Sequence, residues 1–397
     1  MTAVATPPLR VERIAHGGHA VAHDDTGRVV FIRHALPGEL VRVRALADSQ
    51  ERYWFADTVE VLEPAAARIT PVCPIAERCG GCDFQHVRLE AQRELKTTVV
   101  RELLQRAAIA HPEFEVEPVP GDSAGLHWRT RLDYQVAAGA VGFYAYHTRD
   151  VVPLPPAGCP LAAIGTPTPA ELSEVAALSG ERIHTIRTIR VAKGDDAVSV
   201  LAAGRLQSGP KKLTQRVAYT EGAAVSQRDY RVDAAGFWQV HPGAAAAFAT
   251  AVLAGLEPRS GERALDLYCG AGLFSGVLAA KGVQVTGVDS APTAIQAAKR
   301  NVPEAIFECA RVEGAHLSSR TDLVVLDPSR QGVKQAVVRA VAELHPRKVA
   351  YVACDPAALA RDLGYFAGYG YRVATIRAFD AFPMTHHVET IAILTPK

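Results

Sequence analysis

"ALDLYCGAGLFSGVLAA", residues 264–280, decides how the C-terminal half of the chain is read. A β-rich run ends near Asp266, Gly270 and Gly272 follow, and a helical run then begins. Glycines at such a strand-to-helix turn let a ligand approach the backbone and meet the N–H groups that open the helix. The next β-rich run, "VQVTGVD", closes on Asp289, where a carboxylate can accept both hydroxyls of a ribose. Strand, glycines, helix, strand and acid in that order imply a nucleoside-containing cofactor. An ordinary tight turn is the bland alternative, because a lone Gly-x-Gly is weak. A dinucleotide calls for a third glycine at 275, where serine stands, so S-adenosylmethionine fits better.

Outward from this turn, the β-rich runs "RALDLY", "VQVTGVD", "AIFEC", "DLVVLD" and "KVAYVAC" alternate with helical "FSGVLAAK", "APTAIQAAKRN" and "KQAVVRAVAEL". That alternation predicts a parallel sheet with helices on both faces, in an α/β domain over 231–397. "YRVATIRAFD" and "HHVETIAIL" follow with no helix between them, which predicts an antiparallel pair at the end of the sheet. At the other end of the chain, turn signals at Gly17-Gly18, Asp25-Thr26-Gly27 and Pro37-Gly38 separate β-rich runs, so 1–65 reads as a small β-barrel or sandwich. Residues 66–230 read as a central α+β domain: a cysteine-rich loop, the helical "LEAQRELKTTVVRELLQRAAI", then mixed strands.

A net charge of +1 neither announces nor excludes a nucleic-acid partner. The chain shows no run near the ~18 apolar residues of a membrane span and no apolar leader at its start, so the expected compartment is the cytoplasm. Seven unevenly spaced cysteines make a disulfide framework a poor reading. Cys73, Cys79 and Cys82 form a compact C-x5-C-G-G-C loop, with Cys159 as a distant fourth thiol. Four thiolates suit zinc or an iron–sulfur cluster, and spacing does not choose between them.

Ligands of open α/β sheets bind outside the carboxyl ends of the strands, so Asp266, Asp289, Asp327 and Cys354 are expected to line one crevice. Cys354, in "YVACDPAALARDL", could be a small buried hydrophobe, but its place at the crevice favours a nucleophile. Cys269 and Cys309 read as structural, the latter ending a buried strand. Candidate RNA contacts are Arg33, Arg42, Arg44 and "HWRTR" at 127–131; each is weak alone, since exposed arginines are usually just solvated. Phe143 and Tyr144 suit a core as well as a stacking platform.

With "GRVVFIRHALPGELVRV", "CPIAERCGGCDFQH", "GCPL", "FWQVHP", "DLYCGAG", "LDPSRQG", "ACDPAALARDL" and "DAFPMTHHVE" occurring in order, the sequence resembles the S-adenosylmethionine-dependent RNA uracil-5 methyltransferases that carry an N-terminal TRAM domain. The resemblance implies a Rossmann-like class I methyltransferase domain, an OB-like TRAM barrel and the central α+β domain. It implies Cys354 as nucleophile and Glu389 as base. It also places Gln239, Tyr268, Gly270, Gly272, Asp289 and Asp327 at the S-adenosylmethionine site. By the same resemblance Cys73, Cys79, Cys82 and Cys159 hold a 4Fe-4S cluster. The implied partner is RNA, with 23S ribosomal RNA favoured and transfer RNA the alternative, and the expected assembly is a monomer. Leu273, Arg311 and His241 depart from the family pattern and put details of cofactor contact in question.

The chemistry explains the pair. Carbon 5 of uracil is too weak a nucleophile to attack a methylsulfonium until a thiolate adds to carbon 6, and a base must then remove the carbon 5 proton. A cytosine-5 methyltransferase is a rival with the same thiol chemistry, but in the best-known cytosine enzymes the cysteine follows a proline, whereas here Asp-Pro follows it. A cluster-bearing RNA-binding protein without catalysis is the rival from a different class, and the intact Cys354, Glu389 and glycine turn speak against it.

Overall fold

The computed structural model describes residues 7–46, 52–122, 124–177, 186–222, 224–315, 317 and 320–397. Its first sheet joins β1 (Leu9–Arg10), β2 (Arg13–Ile14), β3 (Ala20–His23), β4 (Val29–Arg33), β5 (Leu40–Ala45) and β6 (Tyr53–Glu63) in the order β1-β5-β6-β4-β3-β2. Alternation sets the inner face. In β5, Val41 and Val43 are buried while Arg42 and Arg44 point outward. Ile14, Ile32, Val41 and Trp54 close the core of the curled sheet, which has the expected OB-like character.

The middle of the chain contributes α1 (Leu89–Arg106), β7 (Val116–Pro118), β8 (Arg131–Ala137), β9 (Ala140–Tyr144), β10 (Val151–Pro153), α2 (Pro169–Ala177), β11 (Thr188–Lys193), β12 (Val198–Ala202) and β13 (Arg205–Ser208). Strands β8 to β13 form an antiparallel sheet in the order β10-β9-β8-β11-β12-β13. The hairpin of β14 (Lys212–Glu221) and β15 (Ala224–Asp233) follows as a two-stranded ribbon.

Beyond the ribbon come α3 (Ala244–Leu256), β16 (Arg263–Leu267), α4 (Leu273–Ala279), β17 (Gln284–Asp289), α5 (Pro292–Asn301), β18 (Ile306–Cys309), β19 (Leu323–Leu326), α6 (Lys334–Glu343), β20 (Lys348–Ala353), α7 (Pro356–Gly368), β21 (Tyr371–Asp380) and β22 (Glu389–Pro396). The sheet runs β18-β17-β16-β19-β20-β22-β21-β7. Its first five strands are parallel, and β22 runs antiparallel to both β20 and β21, as the sequence predicts. One face is covered by Phe248 of α3, Phe274 of α4 and Ile295 of α5, the other by Leu104 of α1, Val338 of α6 and Leu363 of α7. All four residues of β19 are therefore buried, the mark of a central parallel strand. The order in which strands are added reverses between β16 and β19, which opens the crevice at their carboxyl ends.

Two features go beyond the sequence reading. Strand β7 and helix α1 come from the middle of the chain yet complete the C-terminal sheet, with Val116 pairing with Ala378. Arg377 grips Glu117 through two nitrogens, and buried Lys96 pairs with buried Asp380. The expectation that Cys309 ends a buried strand is corrected: β18 is the edge of the sheet, and Cys309 is exposed.

Candidate active site

The turn from β16 to α4 holds its shape through backbone that few residues adopt. Tyr268 has φ 66°, Gly270 54° and Gly272 89°. A Cβ on Gly272 would press to 3.2 Å from Val302, whereas one on Gly270 would meet nothing within 4 Å. Gly272 is thus needed for helix packing, and Gly270 leaves open space above the turn. Asp289 braces the turn from the neighbouring strand: its oxygens accept the Gly270 N–H at 3.0 Å and the Ala291 N–H at 2.8 Å, and the carboxylate stays partly exposed.

Asp266 does not line the crevice with the other acids, contrary to expectation. It is fully buried, and one oxygen accepts both the backbone N–H and the hydroxyl of Ser275, at 2.8 and 2.6 Å. Ser275 stands where a dinucleotide fold has its third glycine, so the departure there has a structural use. The other Asp266 oxygen has no partner, and burial raises the carboxyl pKa to about 6 against the lowering bonds from Ser275.

Asp327, Cys354 and Glu389 do converge. Leu326 at the end of β19 is in register with Tyr351 of β20, and Ala353 at the end of β20 with Thr390 of β22. Asp327 follows Leu326, Cys354 follows Ala353, and Glu389 precedes Thr390, so all three leave the sheet at one edge. Burial pushes Asp327 up to about 8, with Asp266 and Asp289 adding to the rise. Buried Glu389 is raised well above the ordinary carboxylate range by burial, then by Asp327. Cys354 is half-buried, and its thiol is pushed up to about 12 by burial and by Glu389, Asp327 and Asp355. Arg330 acts in the opposite sense and favours the thiolate. Sequence reasoning missed Arg330, since nothing in "LDPSRQG" distinguishes that arginine from a solvated one.

Gln239 is buried on the segment between β15 and α3. His241, two residues on, is buried and stacked on Trp128, with rings 6.1 Å apart. Burial lowers its pKa to about 4, so at neutral pH it is an uncharged ring. Leu273 is buried at the start of α4, and Arg311 extends into solvent.

A cleft of about 720 Å³ opens beside these residues, between the barrel, the middle of the chain and the C-terminal part. His19, Phe31 and Phe55 line it from the barrel, Trp128 and Tyr146 from the middle of the chain, and Arg330 from the C-terminal sheet. Of the arginines expected to meet RNA, Arg129 lines this cleft, and the others have partners within the protein. Arg33 is buried against Asp57 and lies over the Tyr146 ring, Arg42 pairs with Glu60, and Arg44 with Asp57. In "HWRTR", Trp128 is buried in the cleft wall and Arg131 donates to the carbonyls of Ala234 and Gly236. Phe143 packs on Tyr134, and Tyr144 is exposed.

Cys73, Cys79, Cys82 and Cys159 are free thiols that line one cavity with Ile75, Phe143 and Leu161. Burial raises the pKa of Cys79, Cys82 and Cys159. Among the described residues, no three His, Cys, Asp or Glu side chains close on a single metal-ion position. Four thiols around one largely apolar cavity suit a thiolate-bound metal group, a zinc ion or a cluster.

Comparison with known proteins agrees with this geometry. A family described as tRNA (Uracil-5-)-methyltransferase matches residues 304–397, and the TRAM domain matches 4–59. An uncharacterized RNA methyltransferase of Streptomyces coelicolor is 42% identical over 98% of this chain and 92% of its own length. The 23S rRNA (uracil(1939)-C(5))-methyltransferase of Chromohalobacter salexigens is 31% identical over 98% and 89%. The fold matches that of Pyrococcus abyssi tRNA (uracil-54, C5)-methyltransferase, solved with S-adenosyl-L-homocysteine, at a TM-score of 0.72 and 22% identity over 98% of this chain and 99% of that one. With two relatives above 30% identity over nearly its whole length, the chain belongs to the TRAM-bearing, S-adenosylmethionine-dependent RNA uracil-5-methyltransferase family.

Proposed function

We propose that the enzyme methylates carbon 5 of a uridine in 23S ribosomal RNA through a covalent adduct with Cys354. The observation that carries the reading is the position of Cys354 and Glu389 at adjoining ends of β20 and β22, on the sheet edge that also carries the glycine turn after β16. S-adenosylmethionine, when bound, supplies a methyl group on a cationic sulfur. Gly270 and Gly272 give the cofactor room at the turn, Asp289 takes its ribose, and Gln239, Tyr268 and Asp327 complete the site. An acid such as Asp327, raised by burial, regains its charge beside a cation.

Cys354 Sγ, as thiolate, adds to carbon 6 of the uracil, and the carbon 5–carbon 6 π pair moves toward the carbonyl as an enolate. Carbon 5 then takes the methyl. Glu389, as carboxylate, removes the carbon 5 proton, the double bond re-forms, and the thiolate leaves carbon 6. Burial favours the protonated form of both groups. Arg330 favours the Cys354 thiolate and an incoming cationic sulfur favours both anions, so release of their protons to solvent is coupled to loading of the site.

A uridine must be unstacked to reach a thiol, and the aromatic cleft with Arg330 at its edge suits an unstacked RNA segment. Relatives named for 23S rRNA support the ribosomal substrate, and RNA modification of this kind suits a cytoplasmic protein. The division at 1–65, 66–230 and 231–397 would assign these parts to RNA grip, bridge and catalysis. Cys73, Cys79, Cys82 and Cys159 would hold a 4Fe-4S cluster with a structural role, since methyl transfer needs no electron. Protein purified without oxygen should carry about four iron and four sulfide per chain; one equivalent of zinc would overturn the cluster.

Mass-spectrometric mapping of 5-methyluridine in RNA from a deletion strain tests the substrate. Loss at one 23S position, restored by the intact gene and not by Cys354→Ala, supports the proposal. Loss confined to transfer RNA would move the enzyme to that substrate.

A further inference from the structure

Residues 15–19, Ala-His-Gly-Gly-His, turn from β2 into β3 of the barrel, and no step above uses them. This turn touches all three parts of the molecule. His16 Nε2 lies 3.3 Å from Asp355 Oδ2, beside the nucleophile. His19 Nε2 meets the Tyr146 hydroxyl at 2.7 Å. Gly18 sits so close to the C-terminal sheet that a Cβ there would stand 2.8 Å from the Cβ of His386 and 3.3 Å from that of Asp83. Gly17 and Gly18 have φ of +91° and +81°, so both the turn and its close approach favour glycine.

Asp355 is the residue through which this contact matters. It follows Cys354, and its Oδ1 caps α7 by accepting the Ala358 N–H at 2.8 Å. Its two oxygens are thereby divided, one to the helix and one to the barrel. The sequence shows only an acid of the wrong sign beside a thiolate. In the structure that acid is the joint between the catalytic turn and the barrel.

We propose that His16 is a positioning residue for Cys354: by holding the second oxygen of Asp355, the barrel fixes the strand-to-helix turn that carries the nucleophile. An imidazole with its proton on Nε2 suffices for the bond. A held carboxylate keeps the first turn of α7, and with it the Cys354 backbone, in one orientation. The imidazole also draws on a negative charge that otherwise opposes the thiolate. His16 lines the cleft as well, so RNA seated there would meet the turn that steadies Cys354. This last step rests on the proposed function; the contact itself does not.

The test uses the full-length protein with His16→Ala and His16→Gln. Amide hydrogen exchange of the peptide spanning 351–363 should rise about two- to fivefold in the alanine variant, the reach of a partly exposed ion pair. It should return toward wild type in the glutamine variant, while the peptide over α5 stays unchanged in both. With S-adenosylmethionine and total RNA from a deletion strain, the alanine variant should keep its cofactor affinity. Its single-turnover rate should fall about tenfold, the scale of a slightly misplaced reacting group, with glutamine recovering most of it. Unchanged exchange over 351–363 in the alanine variant would overturn the proposal, as would a raised KM with the rate intact. Faster exchange in protein that methylates no uridine at all would support the positioning contact and defeat the proposed function instead.

Discussion

Cys354 and Glu389 flank the last rung of one antiparallel ladder. Ala353 pairs with Thr390, Cys354 is the next residue along β20, and Glu389 is the first of β22. A thiol and a buried carboxyl are thereby held at the same level of the sheet by main-chain register, with no mobile loop between them. Cys354→Ala should leave this register intact. Calorimetric binding of S-adenosylmethionine should be preserved while RNA methylation becomes undetectable.

The acids of the crevice predict a pH-dependent cofactor affinity. Burial raises Asp327 at the crevice to about 8 and Asp266 beneath the turn to about 6; of the two it is Asp327 that can face the cofactor, largely neutral in mild acid and a carboxylate as pH rises. A cationic sulfonium favours the carboxylate form. Affinity for S-adenosylmethionine should therefore climb about tenfold between pH 6.5 and 8.5, while neutral-sulfur S-adenosylhomocysteine climbs less. Asp327→Asn should flatten the difference, and parallel slopes for the two ligands would contradict the assignment.

The same shifts bear on stability with the opposite sign. Folded-state pKa values above the ordinary carboxylate range stabilise the protein fully below about pH 4, and that share fades as pH rises through about 6 and about 8. Ligand-free protein should accordingly lose part of its thermal stability between pH 5 and 8.5. Asp327→Asn should lose less, which scanning calorimetry can read.

Ser275 provides a separate test of the glycine turn. Ser275→Ala removes the hydroxyl from a buried Asp266 whose other oxygen already lacks a partner. The Ser275 N–H still donates to the same oxygen, so the variant loses one hydrogen bond and should cost about 0.5–1.5 kcal/mol, measurable by urea denaturation.

A larger loss is expected at the joint between α1 and the C-terminal sheet. Lys96 pairs with Asp380 out of solvent and also donates to the Phe382 carbonyl at 3.1 Å. Lys96→Met strands a buried charge and should cost about 3–5 kcal/mol. The double variant with Asp380→Leu should regain part of that loss.

The sheet was legible because its strands are bounded by turn residues and separated by helical runs; β16 to β20 and the antiparallel β21 and β22 all follow that pattern. Strand β7 was not, for a three-residue "VEP" has no period of its own and is held by partners far along the chain, Ala378 and Arg377. Charge partners were equally invisible. Arg33 reads as an RNA contact until Asp57 and Tyr146 enclose it, and Asp266 reads as a ligand until Ser275 takes its oxygen. The wide separation of His16 from Asp355 hides their contact in the same way.

The covalent step has the most direct test. Glu389→Gln keeps the shape of the base but cannot take the carbon 5 proton, so the methylated adduct has no route to release. Incubated with S-adenosylmethionine and RNA from a deletion strain, this variant should accumulate a protein–RNA species that survives denaturing electrophoresis and vanishes when Cys354→Ala is added. Absence of that species, together with methylation by Cys354→Ala alone, would contradict the account.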